Sequence, residues 1–256
     1  MIDAATFNTP NWVDLSTPDI DGAGEFYSEL FGWDMSIMPS TMGDYHVAKV
    51  DDHEVAGLME QAPQMKGQPA SWTVFVYVAD IEETTKLVAE HGGRVMQPPF
   101  EIPGGAKVAV IVDPTGAMLA LIAGGETPDG VYFSDNAGAV CWVELLTRDP
   151  EAAAAFHREV FGWETVVDTS TETNYTVFKL DGEDVAGMLM MPDAVPAEAP
   201  SHWSTYFTVD DCDATVKMTG ELGGEVLRPT TDISIGKFAV LADPQGATFE
   251  IMEFAS

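Results

Sequence analysis

The chain has 256 residues, 46% of them hydrophobic and 21% charged, and its 11 basic against 42 acidic residues give a formal net charge of −31. A surface so negative repels phosphate backbones and anionic headgroups, which argues against nucleic acid or membrane partners. No apolar run approaches the ~20 residues of a membrane span, and the opening MIDAATFNTP lacks the basic and apolar regions of a secretion signal, so the expected compartment is the cytoplasm.

In chain order, Trp12 to Ser16 alternates like a strand with two different faces, Val13 and Leu15 on one and Trp12, Asp14 and Ser16 on the other. Asp19 is a natural N-cap, and Ala23, Phe26, Tyr27 and Leu30 fall at helical spacing, predicting an amphipathic helix over 20–30 that stops at Gly32. Strands are expected over 33–38, 45–50 and 54–60, the last two joined by a tight turn at Asp51-Asp52. The order then recurs: a strand over 72–78, a helix over 81–91 capped by Asp80 with Glu83 reaching back, a stop at Gly92-Gly93, and strands at 94–96, 107–112 and 117–122. Gly124 to Asn136 is rich in turn residues and is expected to be a connector.

Beyond it the chain repeats itself. WVDLSTPDIDGAGEFYSELFGW, from Trp12 to Trp33, returns as WVELLTRDPEAAAAFHREVFGW, from Trp142 to Trp163. Tyr45, Val55-Ala56-Gly57, Trp72, Lys107 and Asp113-Pro114 recur as Tyr175, Val185-Ala186-Gly187, Trp203, Lys237 and Asp243-Pro244. The chain therefore divides into a module at 1–124, a linker at 125–136 and a module at 137–256. Four β-α-β-β-β units result, an α+β fold in which one helix per unit covers one face of its sheet and leaves the other face for a cleft. Cys141 and Cys212 have no counterparts in the other repeat, so they read as small buried fillers of a reducing compartment and not as a disulfide or metal framework.

The paired first strands WVDLST and WVELLT, the helix ends terminating in FGW, the AGLM and AGML strands, and the endings GAKVAVIVDPTGAMLAL and GKFAVLADPQGATFEIM together resemble the vicinal oxygen chelate superfamily. This is the group of glyoxalases, bleomycin resistance proteins and extradiol dioxygenases, and the likeness is to its tandem two-module glyoxalase-like members of actinobacterial type. The resemblance implies cup-shaped mixed sheets and a divalent metal held by side chains of the first and later strands. At the positions implied for those ligands this chain has Trp12 and Trp142, Thr73 and Ser204, and Ala120, with a carboxylate only at Glu250. No metal or other cofactor is therefore expected. A divalent metal, if held, would fall to Glu250 with Glu144 and His202.

Glu250 lies in the apolar run ATFEIM, where an ionised carboxylate is costly unless paired, so it is either a general base or a carboxylate bonded to a neighbouring group. Asp14 and Glu144 share the Trp-bearing faces of their strands and are candidate proton acceptors, or else partners of Lys107 and Lys237. Trp12, Trp142, Trp72, Trp203, Tyr45 and Tyr175 are candidate ligand-stacking residues, with core packing as the alternative. Lys107 and Lys237 are candidates for an anionic ligand. His46, His53, His91 and His157 are incidental, and Trp33 and Trp163 are core.

Two functions follow as expectations. One is a monomeric protein that binds a small organic molecule in aromatic-lined cavities without the usual metal, in detoxification or resistance. The other is an enzyme, a lyase or isomerase of the glyoxalase type or a dioxygenase, that uses Glu250. A third reading has module 1 only supporting module 2.

Overall fold

The computed structural model describes residues 6–39, 43–65, 67–125, 133–169, 175–192, 195 and 199–255; part of the expected linker, residues 126–132, lies outside this range. The first repeat runs β1 (Thr9–Thr17), α1 (Ile20–Phe31), β2 (Asp34–Met38), β3 (Tyr45–Val50), β4 (His53–Glu60), β5 (Ser71–Tyr77), α2 (Ile81–Glu90), β6 (Arg94–Glu101), β7 (Lys107–Val112) and β8 (Met118–Ala123). The second runs β9 (Val140–Thr147), α3 (Pro150–Phe161), β10 (Glu164–Asp168), β11 (Tyr175–Leu180), β12 (Glu183–Met190), β13 (His202–Thr208), α4 (Cys212–Glu221), β14 (Glu225–Ile233), β15 (Gly236–Ala242) and β16 (Thr248–Phe254).

Strand pairing follows the repeat. One eight-stranded sheet has the order β2-β3-β4-β1-β5-β8-β7-β6 and the other β10-β11-β12-β9-β13-β16-β15-β14. Each is mixed: β1 pairs in parallel with β4 and β5 with β8, while β3 and β4 pair antiparallel. Among the described residues the fold is α+β, four helices and two eight-stranded sheets, in two tandem modules of paired β-α-β-β-β units. No helix among them is long and apolar enough to cross a membrane.

Local chemistry explains the elements. Each helix opens on an aspartate, Asp19, Asp80, Asp149 or Asp211, whose Oδ1 accepts the backbone N–H three residues on at 2.9–3.0 Å. This satisfies an otherwise orphaned donor of the first turn. The expected return bond from Glu83 does not form, because its carboxylate turns outward to Lys86 at 2.9 Å. The β3–β4 turn holds Asp51 and Asp52 at φ 48° and 67°, and the β11–β12 turn holds Asp181 and Gly182 at 51° and 88°. Both are tight hairpin geometries whose twist matches the strands they join.

Packing divides the chain into two compact units that draw on both repeats. Unit 1 comprises Met1–Asn11, Val74–Gly130 and Val143–Ser204, and unit 2 comprises Trp12–Thr73, Val131–Trp142 and Thr205–Ser256. Unit 2 has a core of Tyr27, Phe31, Trp33, Trp72, Phe207 and Phe249, with ring centroids 5.1–6.4 Å apart in edge, tilted and stacked contacts. Unit 1 has the matching core of Phe156, His157, Phe161, Trp163, Phe178 and Trp203. Trp33 and Trp163 are core residues, their indole N–H groups donating to the carbonyls of Gly138 at 2.8 Å and Asn8 at 2.6 Å.

Candidate functional site

The two faces of the sheet in unit 2 are told apart by what packs on them. The His46 ring lies beside Gly24 of α1, which puts His46 and Ala48 of β3 on the helix side. Tyr45 and Val47 then face the other way, and so do their neighbours in register, Gly57 on β4 and Asp14 on β1. On this face three side chains meet. The Trp12 indole N–H donates to Asp14 Oδ1 at 2.7 Å and is shared with the Tyr45 hydroxyl oxygen at 2.8 Å, and that hydroxyl donates to the same Asp14 Oδ1 at 2.6 Å.

Gly57 creates the space: a Cβ there would overlap both the Tyr45 hydroxyl and the Asp14 carboxyl oxygen. Any larger residue there would have to displace both side chains and break their contact. Among the described residues Oδ1 of Asp14 takes both hydrogen bonds and Oδ2 takes none, although the residue is only 6% exposed. Burial lifts its pKa from 3.8 to about 6, against the pull of the Tyr45 and Trp12 hydrogen bonds. Tyr45 is raised well above the usual tyrosine value by burial and by the Asp14 charge, so it stays protonated and remains a donor. The group is a carboxylate fixed through one oxygen, and its other oxygen can accept a hydrogen bond or a proton.

The second repeat keeps the framework. Glu144 on β9 stands in register with Gly187 on β12 as Asp14 does with Gly57, and it is buried. Trp142 and Tyr175 are half-buried. Glu250 is buried on β16 in register with Tyr206 of β13 and Val240 of β15. Phe207, of opposite parity to Tyr206, packs on Phe31 of α1, so Glu250 faces away from that helix.

Other candidates lie elsewhere. Trp72 packs edge-on against Tyr27 at 5.4 Å and Trp203 edge-on against His157 at 5.6 Å, so both belong to the helix-side cores and not with Trp12. Lys107 pairs with Glu82, and Lys237 lies 3.7 Å from both Asp213 and Glu253, so neither is the partner of Asp14 or Glu144. His202 is half-buried with Nδ1 3.0 Å from the Pro200 carbonyl. Cys212 is buried, but Cys141 is only partly so. Gly57 and His157 were not singled out for a role by sequence. The repeated Val-Ala-Gly was a visible signal for the first, and the exchange of Tyr27 for His157 between the repeats was the signal for the second.

A divalent ion needs three or four N, O or S donors. Of the positions the fold family implies, Trp12, Trp142 and Ala120 offer no such donor, Thr73 and Ser204 offer hydroxyls, and Glu250 alone offers a carboxylate. Among the described residues no group of three or more His, Cys, Asp and Glu is arranged to hold a metal, and Glu250 lies in unit 2 while Glu144 and His202 lie in unit 1. The donor set does not fit the ion.

Tandem β-α-β-β-β units in two mixed eight-stranded sheets are the architecture of a glyoxalase-like class of protein. The comparisons agree: residues 9–121 match the Glyoxalase/Bleomycin resistance protein/Dioxygenase superfamily, and residues 142–252 match the Glyoxalase-like domain. The chain is 37% identical over 250 residues to "Putative glyoxylase CFP32" of Mycobacterium tuberculosis, covering 96% of this chain and 94% of that one. It is 32% identical over 257 residues to "Anthracycline biosynthesis protein DauV" of Streptomyces sp. (strain C5), covering 95% and 92%. Among solved structures, the Mn(II)-bound glyoxalase from Novosphingobium aromaticivorans shares the fold, with a TM-score of 0.65 at 14% identity, covering 96% of this chain and 82% of that one. The chain belongs to the glyoxalase, bleomycin resistance protein and dioxygenase superfamily.

Proposed function

We propose that the protein binds a small, flat organic molecule against Trp12, Asp14 and Tyr45 in unit 2, with Asp14 Oδ2 as the fixed acceptor and without a divalent ion. The observation that carries this reading is the hydrogen-bonded trio, in which an indole stands at the implied ligand position and holds a carboxylate by one oxygen only. An aromatic face suits a planar ligand, and a net charge of −31 favours a neutral or cationic one. The likeness to a protein named for anthracycline biosynthesis supplies a first probe. With two modules in one chain, the binding form is a monomer, and its place is the cytoplasm in a detoxifying or resistance role.

Fluorescence titration of an anthracycline tests the reading. Saturable binding that is unchanged by a chelator and weakened about tenfold or more by Asp14→Asn is expected, the loss matching one hydrogen bond to a charged group. The affinity should also fall as pH drops through about 6, where Asp14 takes up its proton. Binding that requires an added divalent metal, or is indifferent to Asp14→Asn, would contradict it.

A second reading, a lyase or isomerase of the glyoxalase type, is favoured by the burial of Glu250 on its strand face. Turnover of methylglyoxal with a thiol, abolished in Glu250→Gln, would select it over binding alone.

A further inference from the structure

The repeat places Tyr27 of α1, Trp72 of β5 and Asp243 of the β15–β16 turn at the same positions as His157 of α3, Trp203 of β13 and Asp113 of the β7–β8 turn. The first trio lies in unit 2 and the second in unit 1. Their settings match closely. Tyr27 lies 5.4 Å from Trp33 at an interplanar angle of 23° and 5.4 Å from Trp72 at 78°. His157 lies 5.3 Å from Trp163 at 11° and 5.6 Å from Trp203 at 70°. In each turn the aspartate Oδ1 caps the turn by accepting two backbone N–H groups, from Gln245 and Ala247 for Asp243 and from Thr115 and Ala117 for Asp113. That leaves Oδ2 for the core.

In unit 2 the Tyr27 hydroxyl completes the circuit. It donates to Asp243 Oδ2 at 3.1 Å and accepts the Trp72 indole N–H at 3.1 Å. In unit 1 the imidazole is shorter than a phenol and has no hydroxyl. Asp113 Oδ2, His157 Nε2 and Trp203 Nε1 are all buried and have no hydrogen-bond partner among the described residues. Three such atoms around one ring are too many to leave unmet, because each carries a desolvation cost.

We propose that unit 1 holds one internal water molecule between Asp113 Oδ2, His157 Nε2 and Trp203 Nε1, taking the part played in unit 2 by the Tyr27 hydroxyl oxygen. The donor count closes. His157 Nδ1 lies 2.8 Å from the Ala153 carbonyl, which can only accept, so Nδ1 carries the proton and Nε2 of the neutral ring is an acceptor. Water then donates one hydrogen to Nε2 and the other to Asp113 Oδ2, and accepts the Trp203 N–H, three bonds as buried waters commonly make. Burial lowers the His157 pKa, opposed by the charge of Asp113, which is consistent with the neutral ring that this arrangement uses.

Magnetic relaxation dispersion of water oxygen and hydrogen on the full chain counts long-lived internal waters. His157→Tyr should lose one, because the new hydroxyl takes its place, and Tyr27→His in unit 2 should gain one. Phe178, where the first repeat has Ala48, packs 5.2 Å from the His157 ring. Should His157→Tyr not fold for want of room, the double change with Phe178→Ala restores the pattern of unit 2 and should show the same loss. A crystal structure of the unaltered protein should show a solvent peak within hydrogen-bonding distance of all three atoms. An unchanged water count in the His157 variants, or density with Asp113 Oδ2 bonded directly to the His157 or Trp203 ring, would overturn the proposal.

Discussion

Asp14 shows how a single residue acquires a role from its surroundings. Its carboxyl is buried by the indole of Trp12 and the phenol of Tyr45, and Gly57 leaves it the space. A carboxyl whose pKa rises on folding binds its proton more tightly in the folded state, so it adds stability below 3.8 that is lost as pH rises through about 6. The rise corresponds to about 3 kcal/mol. Asp14→Asn carries no titrating proton and should remove this dependence. Chemical denaturation across that window should show the unaltered protein losing about 3 kcal/mol relative to the variant as pH rises, and parallel curves would speak against a carboxyl whose burial outweighs its two hydrogen bonds. The acid and its aromatic neighbours were legible in the sequence as one face of an alternating strand. The hydrogen bonds that join them were not, because Tyr45 lies 31 residues from Asp14 and only the β3–β4–β1 register brings the two together.

The elements whose chemistry is local were the most legible. Helix starts followed from Asp19 and Asp80, and a hairpin from Asp51-Asp52, since caps and tight turns depend on residues within a few positions; Asp149, Asp211 and Asp181-Gly182 repeat the same chemistry in the second half. The side taken by the β5 and β13 tryptophans was less legible. Trp72 and Trp203 were grouped with Trp12 as stacking candidates, with core packing as the alternative, and it is the alternative that holds: both pack under the helices, on the face opposite Thr73 and Ser204. At this scale Asp80→Ala should cost about 1 kcal/mol by removing the acceptor for the Glu83 N–H. Glu83→Ala should cost little, because its side chain makes an exposed pair with Lys86 and no capping bond. Thermal unfolding of the two variants separates them, and equal losses would restore the reciprocal cap.

Over the whole molecule the duplication is plain in the sequence, and strand pairing keeps to it. The compact units do not: Tyr27 bonds to Asp243, 216 residues later, and no pattern in either repeat announces that partner. What α1 and α4 share in unit 2 depends on packing of buried faces, which homology between the repeats does not specify. The net charge of −31 acts at this scale as well. Its carboxylates are spread over helices and turns, and their mutual repulsion is screened by salt. The melting temperature should rise between low and molar salt, and a flat profile would show that repulsion is not a material cost. The account as a whole turns on whether Asp14 is a buried carboxyl presented to a ligand, and carboxyl-carbon NMR of Asp14 reads this directly. It should titrate near 6 and shift when an anthracycline is added in the presence of a chelator, whereas titration near 3.8 with no response to the ligand would contradict the account.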